Sequence, residues 1–140
     1  MWHNIILGCL LMALTTAIHG VITRLIVHFV TKRSNKASKK KHMFEGVIWL
    51  PSIVLIMFFF TLLESALWSA TYMAIGAFDK FEEALYFSIV TFTTLGFGDV
   101  VLSEEWRLLA SFEAANGIII FGWSTAIVMA VVQKLYFTKS

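Results

Sequence analysis

"TFTTLGFGD", Thr91 to Asp99, is the stretch on which the fold turns. It sets paired threonines, two glycines at alternate positions and an aspartate among apolar segments of a 140-residue chain that is 59% hydrophobic. Each unsatisfied backbone polar group at membrane depth costs several kcal/mol, so irregular backbone survives there only when it is buried in protein or lines a water-filled path. The flanking sequence has to say which applies.

Upstream, an apolar run from Ile5 to Val30 carries only His19, Arg24 and His28 as interruptions and is long enough to span with some tilt. Residues 1–30 therefore read as an N-terminal transmembrane helix. A signal peptide and a lipoprotein box at "ILGC" before Cys9 are the competing readings. The start "MWHN" lacks a basic region, and the apolar run continues past both candidate cleavage sites. Residues 31–46 follow as a basic loop: Lys32, Arg33, Lys36, Lys39, Lys40 and Lys41 lie between Thr31 and His42 without one acid. Between two spans such a loop is a positive-inside signal rather than a nucleic-acid site, and it is expected in the cytoplasm.

A second span runs from about Val47 to Ala77, with its Pro51 end expected at the inner interface. Gly76 and the acidic Asp79–Glu83 stretch mark the outer surface. Residues 81–93 read as a helix too short to cross, with Glu82 and Glu83 favouring its N-terminal turn. The quoted motif follows, with 94–98 as a loop, and a last helix covers 107–133. Three crossings put the N-terminus outside and the C-terminus in the cytoplasm, so the short helix and its loop enter and leave from outside. Trp2 and Trp106 are expected in the outer aromatic belt, Trp49 and Tyr136 in the inner one. No span carries an arginine ladder, so a voltage sensor is not expected. The 140 residues leave no stretch for a soluble catalytic domain, and the single cysteine excludes an intrachain disulfide.

Pointing successive carbonyls toward one axis needs alternating backbone handedness, which Gly96 and Gly98, flanking Phe97, tolerate. Carbonyl oxygens there, with the Thr94 hydroxyl below them, would replace water around a dehydrated cation. The C-terminal end of the short helix adds partial negative charge, and Asp99, Glu104 and Glu105 would concentrate cations at the outer mouth. The interruption reads as a cation path.

"TTLGFGD", Thr93 to Asp99, resembles the potassium-channel signature TTVGYGD, and "ALYFSIVTF", Ala84 to Phe92, resembles that family's pore helix. The order of span, pore helix, filter and span is similar too, as is Trp106, seven residues beyond the filter aspartate. The resemblance covers Val47 to Val132. It implies a tetrameric, potassium-selective pore domain over 47–135, with an ion-binding filter of Thr94, Leu95, Gly96, Phe97 and Gly98 in which K+ is held at Thr94, Leu95, Gly96 and Phe97. The one filter stretch per chain then implies a homotetramer. Leu95 stands where valine or isoleucine is usual, and Phe97 replaces tyrosine, removing a hydroxyl that helps brace the filter. A GFG filter also occurs in the second pore of two-pore-domain potassium channels. By the same resemblance Thr93 supports the filter, and Tyr86 and Phe87 take the aromatic-cuff positions. Val90 stands where some members place a glutamate that braces the filter aspartate, so Asp99 needs another partner.

Glu64, inside an apolar run, is costly at membrane depth, by about 2.5–3.5 kcal/mol. It reads either as a hydrogen-bonded tie to the pore helix or as a proton-sensitive gating element. At 1.5 Å per residue it lies near His19 in depth, which makes the two candidate partners. Glu113, Asn116, Gly117 and Ser124 share one face of the last helix by 100° stepping. Either that face lines the pore, or, by comparison with the family, Ile119, Gly122 and Ala126 face the cavity and Glu113 lies behind the filter. Gly117 reads as a hinge or as a close-packing position. Ala66, Ala70 and Ala74 form a small-residue stripe expected to let helices approach. Arg24 and His28 are expected to snorkel. Histidine and cysteine spacings match no metal site.

The expectation is therefore an all-α membrane protein of three transmembrane helices plus a re-entrant pore helix and filter loop, tetrameric, in the cell membrane. It would pass K+ without a cofactor, with lipid and its own copies as partners and no nucleic acid. The alternatives are a less selective cation channel and a non-conducting auxiliary subunit. A membrane enzyme lacks any nucleophile–base or metal constellation.

Overall fold

The computed structural model describes residues 1–34 and 39–133; the side chains of residue 30 and of residues 33–48 lie outside that description. Its elements are α1 (Trp2–Ser34), α2 (Lys39–Ala74), α3 (Phe81–Phe92) and α4 (Arg107–Val132). Three segments, Trp2–Phe29, Trp49–Ala74 and Arg107–Val132, are long and apolar enough to cross a membrane. With its 12 residues, α3 is about 18 Å long and cannot. This is the all-α architecture that the hydropathy pattern predicts.

The boundaries depart from the sequence reading where polar composition stands in for loop structure. Helix α1 continues to Ser34 and α2 starts at Lys39, so backbone helix occupies much of the basic stretch 31–46. Lysine and arginine are good helix formers, and the stretch holds no proline and no glycine before Gly46. Its residues 35–38 lie outside the described residues, as do Tyr136 and the last two positions of the 47–135 pore segment. Pro51 sits inside α2 rather than at its end. At the other end α2 stops at Ala74, short of Ala77. Gly76 turns left-handed at φ 69°, its N–H donates to Met73 O (3.1 Å), and Ala77 N–H donates to Tyr72 O (2.9 Å). That double closure is a Schellman motif, with glycine where φ is positive.

Helix α3 lies against both α2 and α4, while α1 runs mainly along α4 with a smaller contact to α2. One core cluster draws on all four helices: Leu11 from α1, Trp68 and Tyr72 from α2, Phe87 and Phe92 from α3, and Leu109 and Ile120 from α4. A second cluster, Ile53, Met57, Ile127 and Val131, closes α2 on α4 at the other end. On α2 the buried stripe is Ser65, Trp68, Ser69 and Tyr72, at helical spacing. The alanine stripe expected to carry helix packing lies elsewhere: Ala70 and Ala74 are exposed within the chain. Arg24 and His28 are exposed as well.

Candidate functional site

The loop after α3 starts from the way that helix ends. Thr94 N–H donates to Thr91 O (2.9 Å) and Leu95 N–H to Val90 O (3.0 Å), a second Schellman closure. Here the left-handed position is Thr94, at φ 61°, where glycine is usual. Two further left-handed residues follow at alternate positions, Gly96 at φ 56° and Gly98 at φ 79°, while Leu95 and Phe97 between them do not share that conformation. Handedness thus alternates along 94–98, as the glycine spacing predicts. Thr93 caps α3, and its hydroxyl donates back to Ile89 O (2.7 Å). Leu95 and Phe97 are exposed within the single chain.

Asp99, at the end of the loop, finds the partner that Val90 cannot be. The Tyr86 hydroxyl donates to Asp99 Oδ2 at 2.7 Å. Tyr86 lies one turn before Val90 on α3, so the same face of the helix supplies the brace. This hydrogen bond, with smaller contributions from backbone N–H groups, holds the Asp99 carboxyl below its ordinary value. Phe87 is turned inward, with its ring 5.4 Å from that of Tyr72. An open cleft of about 270 Å³ beside the loop is lined by Tyr86, Val90, Gly96, Gly98, Asp99 and Arg107.

Behind α3 the structure separates the two readings of the last helix. Glu113 and Asn116 are fully buried within the chain, and Gly117 is buried with them. Glu113 meets the Tyr72 hydroxyl at 2.7 Å and the Ser88 hydroxyl of α3. A Cβ placed on Gly117 would stand 1.9 Å from Phe92 O, so this glycine serves the close approach of α4 to the end of α3. Those residues do not line an open surface, which corrects the reading that gave that face to the pore. Ile119, Gly122 and Ala126 lie on the exposed side of α4.

Helix α1 is fastened by polar contacts at two levels. Asn116 Nδ2 donates to Thr15 Oγ1 at 2.7 Å. One turn along, His19 Nδ1 lies 3.1 Å from Glu64 Oε1, and its Nε2 lies 3.2 Å from Ser124 Oγ. His19 and Glu64 are both buried, so the depth estimate paired the right residues, and Ser124 adds α4 to the contact. Near its start, Asn4 donates to the carbonyl of Glu105, and His3 sets its ring against Trp106. Tyr72, Ser88 and Thr15 escape the sequence reading. The usable signal was periodicity: Tyr72 stands seven residues after Ser65 on the face carrying Trp68 and Ser69. Among the described residues no group of three or more His, Cys, Asp or Glu is placed to hold a metal.

The family model described as "Ion channel" matches residues 48–134, which include the loop, α3, α4 and α2 from residue 48 onward. This chain belongs to the ion channel family. Within that family, potassium channel subfamily K member 12 of Homo sapiens is 42% identical over 60 residues, and the same-named protein of Rattus norvegicus is 41% identical over 60. Each match takes in 41% of this chain and 14% of the relative, so the ion-channel segment shared is a small part of those proteins. No solved structure matches the chain. Helix α1, outside the matched residues, is joined to the ion-channel segment through Thr15 and His19.

Proposed function

We propose that the chain is one subunit of a homotetrameric, potassium-selective channel, with the loop 94–98 of four copies forming the filter. The observation that carries this reading is the alternation of handedness at Thr94, Gly96 and Gly98 directly after a short helix. Alternating left- and right-handed residues turn successive carbonyls to one side, and four such loops would surround a dehydrated cation with oxygens. The exposed Leu95 and Phe97, the open cleft beside the loop and the exposed Ile119, Gly122 and Ala126 give the neighbouring copies and the ion path a place. The potassium channels similar to it support K+ as the ion. The positive-inside rule supports the cytoplasmic placement of the basic stretch and an outward-facing loop. Potassium passes down its gradient without a cofactor, in a lipid bilayer, and no covalent chemistry takes place.

Leu95 and Phe97 favour a second reading, a less selective cation channel, because they alter the side chains packed behind the coordinating oxygens. The deciding experiment reconstitutes the purified full chain in planar bilayers and measures reversal potentials in opposed potassium and sodium gradients. A reversal near the potassium equilibrium potential supports the selective channel. A reversal near zero supports the second reading, and absence of any current points to a non-conducting subunit.

A further inference from the structure

Three oxygen–oxygen contacts meet behind α3. The Tyr72 hydroxyl lies 2.7 Å from Glu113 Oε2, the Ser88 hydroxyl lies against Glu113 Oε1, and the same Ser88 hydroxyl lies 2.7 Å from the Ser65 carbonyl oxygen. Each contact needs a proton between its oxygens. A tyrosine and a serine hydroxyl supply one each; a carbonyl supplies none, and neither does an ionised carboxylate. Two hydroxyl protons cannot serve three contacts. We infer that Glu113 supplies the third, as a neutral carboxylic acid that positions the pore helix. Its Oε1–H donates to Ser88 Oγ, Ser88 donates to Ser65 O, and Tyr72 donates to Oε2.

The surroundings agree with that proton inventory. Glu113, Tyr72 and Ser88 are fully buried, Glu113 and Tyr72 on the segments Arg107–Val132 and Trp49–Ala74, each long and apolar enough to cross a membrane, and Ser88 on the short α3 packed between them. A carboxylate there would need a cation. The ion pairs among the described residues are His19–Glu64 and Arg107–Glu104, and neither includes Glu113. Of the elements around it, α2 presents Tyr72 as the titratable group. Helix α3 presents Ser88, with Glu82 and Glu83 exposed at its far end, and α1 presents Thr15 to the next turn of α4, at Asn116. The shared proton ties α2, α3 and α4 together directly behind the helix that carries the loop. Its consequence for conduction rests on the channel reading above; the proton itself does not.

The test is infrared difference spectroscopy on the full chain in lipid bilayers, paired with potassium flux. At neutral pH the wild type shows a protonated-carboxyl C=O band that Glu113→Gln removes and Glu64→Gln leaves in place. Glutamine reproduces the donor and the acceptor, so flux through Glu113→Gln stays within about twofold of wild type. Glu113→Leu, of similar size without hydrogen bonds, loses about tenfold or more. Strong alkalinisation lowers wild-type flux and leaves that of the glutamine variant unchanged. A band absent at neutral pH, or unaffected by Glu113→Gln, overturns the neutral acid; full flux in Glu113→Leu overturns the positioning role. Should the glutamine variant fail to accumulate, Tyr72→Phe removes the bond to Oε2 and must raise the band's frequency, and an unmoved band overturns the assignment. A wild type that shows the band and passes no potassium counts against the channel reading alone.

Discussion

Thr94 takes a left-handed conformation that costs an L-residue about 1–2 kcal/mol, although two glycines stand within four residues of it. Its side chain would be worth that cost in the proposed filter, where a hydroxyl at the inner end would add a ring of oxygens that glycine cannot provide. Gly96 is the contrasting case. Within the single chain a Cβ there would meet nothing within 4 Å, so the penalty of Gly96→Ala inside one subunit comes from φ 56°. That variant should stay in the membrane and lose potassium flux, measured in liposomes by a potassium-sensitive dye; normal selective flux would remove Gly96 from the filter. The Tyr86–Asp99 bond predicts a pH effect of definite sign. A carboxyl held below its ordinary value of 3.8 contributes stability in full above that value, and the contribution is lost as pH falls through the lowered one. Tyr86→Phe removes the donor and should move the Asp99 titration, followed by NMR of carboxyl-labelled aspartate, up toward 3.8.

At the scale of elements, the short helix is held from behind, and Gly117 makes the approach close enough. Gly117→Ala puts a methyl group where Phe92 O stands, so α3 or α4 must shift. The expected loss is about 1–3 kcal/mol, read as a lowered thermal midpoint of the assembled protein. Helix α1 is held by side-chain polarity as well as by apolar packing. Removing either His19 or Glu64 should cost about 1–3 kcal/mol, since the survivor is left buried without its partner. In a double-mutant cycle of His19→Ala and Glu64→Gln the two losses should fall short of additivity by about 1 kcal/mol or more. Strict additivity in thermal unfolding would show that the 3.1 Å contact carries no coupling and that α1 is held by its apolar packing and its other polar contacts.

At the scale of the whole molecule, a single chain leaves much apolar surface open. Phe97 is 67% exposed and Leu95 60%, at a loop whose proposed work requires other copies. The orientation across the membrane is testable on the same molecule. With the exposed Cys9 replaced, single cysteines at Lys32 and Ser103 should react with membrane-impermeant reagents from opposite sides, Ser103 from outside. Reaction of both from one side would overturn the three-crossing topology.

Sequence by itself determined the helical class, the crossing segments, the short helix and the loop. These follow from local composition: apolar runs of sufficient length, two acids at a helix start and glycines at every second position. Even the pairing of His19 with Glu64 was within reach, because depth in a membrane is nearly one-dimensional and can be counted along a helix. Rotation about the helix axis was not. Whether Glu113 faced the pore or the pore helix, and which stripe of α2 was buried, depended on how four helices turn toward one another. The structure placed the serine and tyrosine stripe inward, where the buried Glu113 carboxyl meets the Tyr72 and Ser88 hydroxyls, as buried polar groups require partners. Tyr86 came to hold Asp99 for a related reason: the loop folds back along α3, a proximity no spacing rule contains.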